Sequence, residues 1–107
     1  MMNSGRLEIL LEQLKSDEND AFLNYAAAME YMGANDSEMA LFYLQKLHKI
    51  QPDYLPTYYQ LASLLDDQDE VDEAIKILKE GVQLALKLNE QKAHDELSNY
   101  LQNLLME

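Results

Sequence analysis

A chain of 107 residues with 48% apolar side chains suffices for one small domain with a buried core. Twenty acidic against eight basic residues give a formal charge of −12, which repels phosphate backbones and anionic head groups, so neither nucleic acid nor membrane is an expected partner. Cysteine is absent, which excludes disulfides, thiolate zinc sites and thiol nucleophiles, while three glycines, two prolines and abundant Leu, Ala, Glu, Gln and Lys favour helix over sheet.

In chain order, Leu7, Leu10, Leu11 and Leu14 follow an i, i+3, i+4, i+7 rule and predict a helix over residues 4–16. Asn19 or Asp20 can cap a second helix through AFLNYAAAMEYM, which Gly33 closes. NDSE supplies a cap and early acids for a third helix, with Ala40, Leu44, Leu47 and Ile50 on one face. Pro52 disfavours helix at Gln51, and Asp53 is the expected cap of a fourth helix whose first turn tolerates Pro56. That helix carries Tyr58, Leu61, Ala62 and Leu65. A fifth, over residues 70–88, shows Val71, Ala74, Ile75, Leu78, Val82 and Ala85, and a sixth has Ala93, Leu97, Tyr100, Leu101, Leu104 and Leu105.

A shift of thirty-four residues superposes Tyr25 on Tyr59, Ala28 on Ala62, Ala40 on Ala74 and Leu44 on Leu78, with Tyr31 on Leu65 as a conservative match. This period, with Tyr58, Leu61, Ala62 and Leu65 in a first helix, Ala74, Leu78 and Gly81 in a second, and Pro52 just after one, resembles the tetratricopeptide repeat. The resemblance implies an all-α, right-handed α-solenoid of antiparallel helix pairs with about six helices. The chain then divides into an N-terminal helix (4–16), repeat one (21–54), repeat two (55–88) and a C-terminal capping helix (89–106), forming one domain of two full units between two half units. Small residues at Ala28, Ala40, Ala62 and Ala74 let paired helices approach, and close packing would offset the cost of Gly81 within a helix. Asn24 departs from the family pattern, which has a large aromatic there; Ala28 and Ala62 replace glycine, Leu47 replaces a small residue, and Leu86 replaces proline.

No catalytic constellation is present. DDQDEVDE lacks the bend glycine and ligand spacing of a calcium loop, so it reads as a solvated corner. His48 and His94 have no second ligand one turn on, no serine sits in a nucleophile elbow or beside a histidine, and there is no phosphate-binding loop. A non-enzyme without metal or cofactor is expected. The N-terminal residues show no secretory pattern, so the expected location is the cytoplasm.

What remains is a surface. The resemblance implies that the first helix of each pair lines a concave groove for an extended peptide or partner helix. Here that phase places Phe22, Tyr25, Met29 and Met32 on one helix, Tyr59, Ser63 and Asp66 on the next, and Lys92, Asp95, Asn99 and Gln102 beyond. Tyr and Met suit peptide recognition, although the aromatics could equally pack between helices. A lysine and asparagine clamp for a terminal carboxylate is not matched at Tyr25, Met29, Tyr59 and Ser63, so an apolar or basic protein segment is expected. The alternative is a homodimer through Tyr100, Leu101, Leu104 and Leu105 of the last helix.

Overall fold

A computed structural model describes residues 4–107. It contains six helices and, among the described residues, no strand: α1 (Ser4–Ser16), α2 (Ala21–Gly33), α3 (Ser37–Ile50), α4 (Pro56–Asp67), α5 (Val71–Lys87) and α6 (Gln91–Leu105). The all-α class and helix number agree with the sequence reading. The chain separates into two compact units, one ending at Tyr54 and the other beginning at Leu55.

In the first unit, α1 packs on α2 and α2 on α3. Leu10 and Leu14, Ala26 to Ala28, and Ala40, Leu44 and Leu47 are its buried apolar side chains. Three consecutive buried alanines, about 100° apart around the axis, keep α2 thin on successive sides, where neighbouring backbones can come close. In the second unit, α4 packs on α5 and α5 on α6. Tyr58, Leu61, Ala62, Leu64 and Leu65 are buried on α4, Ala74, Ile77, Leu78 and Ala85 on α5, and Leu97 and Leu104 on α6. The superposed pairs Ala28 and Ala62, Ala40 and Ala74, and Leu44 and Leu78 are all fully inaccessible to solvent. The second-unit helices converge at Gly81. A Cβ added there would lie 2.8 Å from Tyr58 Cβ and 3.2 Å from Leu97 Cδ1, so α4, α5 and α6 meet where α5 has no side chain.

Three corners share one construction. After α2, α4 and α5 the chain enters the left-handed region at Asn35, Asp69 and Asn89, with φ of 60°, 63° and 60°. The next amide then reaches back to the last helical turn: Asp36 N donates to Tyr31 O, Glu70 N to Leu65 O and Glu90 N to Ala85 O, at 2.9, 2.8 and 2.9 Å. The left-handed residue itself donates three residues back, to Met32, Asp66 and Leu86 carbonyls. This paired closure satisfies carbonyls that a helix end leaves open. As expected from the sequence, α2 ends at Gly33; the left-handed turn that follows is made by Asn35, because Asn and Asp tolerate it better than other side-chain-bearing residues.

Helix starts divide into two kinds. Asp20 Oδ1 accepts from Leu23 N at 2.8 Å and Asp36 Oδ1 from Met39 N at 3.2 Å. Replacing either aspartate by alanine lowers unfolding free energy by about 1 kcal/mol in urea titrations, the usual effect of losing an N-cap acceptor. Asp53, expected to cap α4, does not. Tyr54 N donates to Gln51 O across a turn with Pro52 second and Asp53 third, and α4 starts from Leu55, already helical in φ and ψ, with no side-chain cap. The proline turn takes up Asp53 before the helix begins.

Asn24 is fully buried. Its Nδ2 donates to Glu18 O at 3.0 Å and Asp20 O at 2.7 Å, and Lys46 Nζ of α3 reaches the same Glu18 carbonyl at 2.7 Å. Where the family pattern has an aromatic, this chain thus uses an amide to fasten the α1–α2 turn.

Candidate functional site

The residues expected to line one groove fall in both units. In the first, α2 carries Phe22, which is exposed, and Tyr25, Met29 and Met32, which are half-buried. Tyr25 packs its ring 5.8 Å from that of Tyr54 at 58°. Tyr54 was not expected here, since its role depends on the proline turn returning the chain to α2. Glu30, one position beyond Met29, accepts an ion pair from Arg6 Nε at 2.7 Å.

A second aromatic group in this unit was not anticipated. Tyr31 stacks on Tyr43 at 5.7 Å and 15°, Phe42 meets Tyr43 edge-on at 5.1 Å, and Lys46 Nζ lies 5.8 Å from the Tyr43 ring centroid. Burial, with Tyr43 and Asp36 nearby, raises the Tyr31 phenol above its ordinary pKa.

In the second unit, Tyr59, Ser63 and Asp66 stand at i, i+4 and i+7 on α4, on one side of the helix. The structure brings them together with Tyr100 of α6. The Tyr59 and Tyr100 rings are 5.2 Å apart at 49°, and Tyr100 Oη donates to Asp66 Oδ2 at 2.9 Å. Tyr59 keeps 44% of its surface exposed, so one side of the ring pair is open to solvent. The sequence reading gave Tyr100 to the apolar stripe. Its separation from Asp66 by one repeat period was the available signal.

Lys92, Asp95, Asn99 and Gln102 are exposed on α6. Asp95 belongs to a local network instead of joining the tyrosine pair: Gln91 Nε2 donates to its Oδ1 at 2.9 Å, and His94 Nδ1 lies 3.3 Å from that oxygen. Among the described residues, no group of three His, Asp or Glu side chains is placed to hold a metal ion. Among the described residues, no helix is long and apolar enough to cross a membrane.

Burial and the adjacent Asp66 raise the Tyr100 phenol well above the ordinary tyrosine value of about 10. A phenol whose pKa is higher folded than unfolded contributes stability that is complete below the unfolded value. That contribution is lost as pH rises from about 10 toward the folded value, because the unfolded chain then holds fewer protons. Urea stability accordingly falls above about pH 10, and Tyr100→Phe makes the fall shallower; equal slopes for the two proteins exclude this role.

Paired helices with a thirty-four-residue period and an open polar and aromatic face on a first-of-pair helix define a helical-repeat protein of the solenoid class. A family model for the tetratricopeptide repeat matches residues 24–87, and the chain belongs to that family, whose members are in general non-catalytic protein-interaction modules. Among solved structures, it is similar to a tetratricopeptide repeat domain protein from Salinibacter ruber, with 32% identity, a TM-score of 0.77, and coverage of 79% of this chain and 94% of that one. The type III secretion translocator chaperone SycD from Yersinia enterocolitica shares the fold at 14% identity and a TM-score of 0.84, over 98% of this chain and 76% of that one. MamA does so at 20% identity and a TM-score of 0.67, over 94% of this chain and 61% of that one. No curated protein matches.

Proposed function

We propose that the chain is a non-catalytic docking module that holds a peptide segment or helix of a partner protein on the α4–α6 face of its second unit. The observation that supports this reading is the Tyr59 and Tyr100 ring pair, partly open to solvent and fixed beside Asp66. Exposed tyrosine combines a large apolar face with a polar tip and loses little side-chain entropy on binding. The Phe22 and Tyr25 face of α2 in the first unit offers a second, separate surface of similar chemistry. The similarity to the chaperone SycD supports binding of protein ligands in general.

The test is selection of displayed twelve-residue peptides on the immobilised full chain, followed by mapping of their binding with amide NMR spectra. Perturbations centred on Tyr59, Ser63, Asp66 and Tyr100, with affinity lost in Tyr59→Ala, are expected. Peptides that leave those amides unmoved, and bind Tyr59→Ala as tightly as wild type, sink the reading.

A second reading, a homodimer through α6, rests on Leu105 and Met106, which are exposed at its end. Leu97 and Leu104 are buried, which leaves a small apolar area for a partner copy. Light scattering at high micromolar concentration decides it: a dimer that Leu105→Glu dissociates supports it, and a monomer removes it.

A further inference from the structure

We infer that Tyr59, Tyr100 and Asp66 form a subsite for an arginine side chain of the partner, a specification that rests on the α4–α6 docking face proposed above. The comparison that leads to it lies within this molecule. The first unit also has a tyrosine pair, Tyr31 and Tyr43, and there a cation of the chain's own, Lys46, sits 5.8 Å from the Tyr43 ring. The second unit's pair has the rings and adds a carboxylate, yet among the described residues no cation of this chain sits over it.

Charge complementarity names the occupant. No lysine or arginine occurs from residue 50 to residue 75, while Asp66, Asp67, Asp69, Glu70, Asp72 and Glu73 all do. No cation on α4 or in the corner after it competes with an incoming one, and the net charge of the whole chain favours its approach.

Geometry selects arginine over other cations. Tyr100 Oη holds Asp66 Oδ2, which orients the carboxylate and leaves Oδ1 able to accept. Tyr59, one side of which is open, stands two turns before Asp66 on the same face of α4. A planar guanidinium stacks on an aromatic face and donates in-plane to a carboxylate at the same time, which a compact ammonium cannot do.

The test uses the full chain and two small probes, N-acetyl-arginine amide and its uncharged counterpart N-acetyl-citrulline amide, titrated while amide NMR spectra are recorded. The arginine probe is expected to move the amides of Tyr59, Ser63, Asp66 and Tyr100. It should bind about 5-fold more tightly than citrulline, the combined effect of an exposed cation–π contact and a surface ion pair, and that margin shrinks at high salt. Asp66→Asn and Tyr59→Leu each reduce the margin, and Tyr59→Leu leaves the Tyr100 to Asp66 hydrogen bond in place, so it reports on the ring alone. Equal binding of the two probes, or an arginine response unchanged in both variants, overturns the subsite. The peptides from the display selection separate the two levels. Peptides that map to α4 and α6 but bind equally well after Arg→citrulline exchange overturn the arginine subsite and leave the docking face standing. Peptides that map elsewhere overturn the face itself.

Discussion

Leu78→Ala and Leu44→Ala each lower the unfolding free energy by about 3–4 kcal/mol, within the range of roughly 2–5 kcal/mol for buried leucine truncations. Both side chains are fully inaccessible to solvent, and each is preceded one turn earlier on its helix by an equally buried alanine, Ala74 or Ala40. An alanine has no rotamer by which it could swing into the space left behind, so the cavity persists and its lining loses dispersion contacts. Set against a typical total of about 5–15 kcal/mol, the loss removes a large share of the stability of the chain. Urea unfolding followed by circular dichroism measures it, with Leu86→Ala as the control because Leu86 is exposed. Losses below 1 kcal/mol at both buried leucines would mean that neither position is packed as described.

Gly81→Ala is the second large effect, and its sign opposes intuition. An alanine in place of a mid-helix glycine ordinarily gains about 1 kcal/mol. Here the new methyl would sit 2.8 Å from Tyr58 Cβ and 3.1 Å from Tyr58 Cγ. The nearest atom is the first carbon of the side chain, fixed to its backbone, so no rotamer change relieves the overlap and α4 must shift. Overpacking of this kind costs about 1–3 kcal/mol, which leaves a net loss of up to about 2 kcal/mol after the helix gain. Thermal unfolding of Gly81→Ala beside Gly5→Ala isolates the effect, since an added Cβ at Gly5 meets nothing within 4 Å. Gly5→Ala is expected to be neutral or stabilising, and a Gly81→Ala protein more stable than wild type by the ordinary helix gain of about 1 kcal/mol would show that α4 and α5 have room between them.

These positions also mark what the sequence could disclose. Leu44, Leu78 and the four alanines were legible because helical periodicity and the thirty-four-residue shift both select them, and burial is a property of a helix face. Gly81 was legible for the same reason: only close approach explains a glycine inside a strong helical stripe. The failures concern groups whose partners come from turns or from other helices. Asp53 had the chemistry of a cap, yet the turn after Pro52 carries the chain two residues further before helix starts. Asn24 looked like a departure from the repeat pattern, and only the placement of the Glu18 and Asp20 carbonyls shows why an amide sits there. Tyr100 carried an apolar stripe by spacing, while its hydroxyl found Asp66 on another helix. For the candidate site, the α4 residues could be chosen from helical phase alone, whereas the bond from Tyr100 to Asp66 depends on how α6 is placed within the second unit.

The three corners at Asn35, Asp69 and Asn89 reach a left-handed geometry without glycine. A β-carbon in that region carries local strain, whereas glycine would relax it and at the same time enlarge the ensemble that the denatured chain explores. With the two contributions opposed, exchange of a corner residue for glycine changes equilibrium stability little. At these bends asparagine, aspartate and glycine can therefore exchange while the helices they join stay as they are.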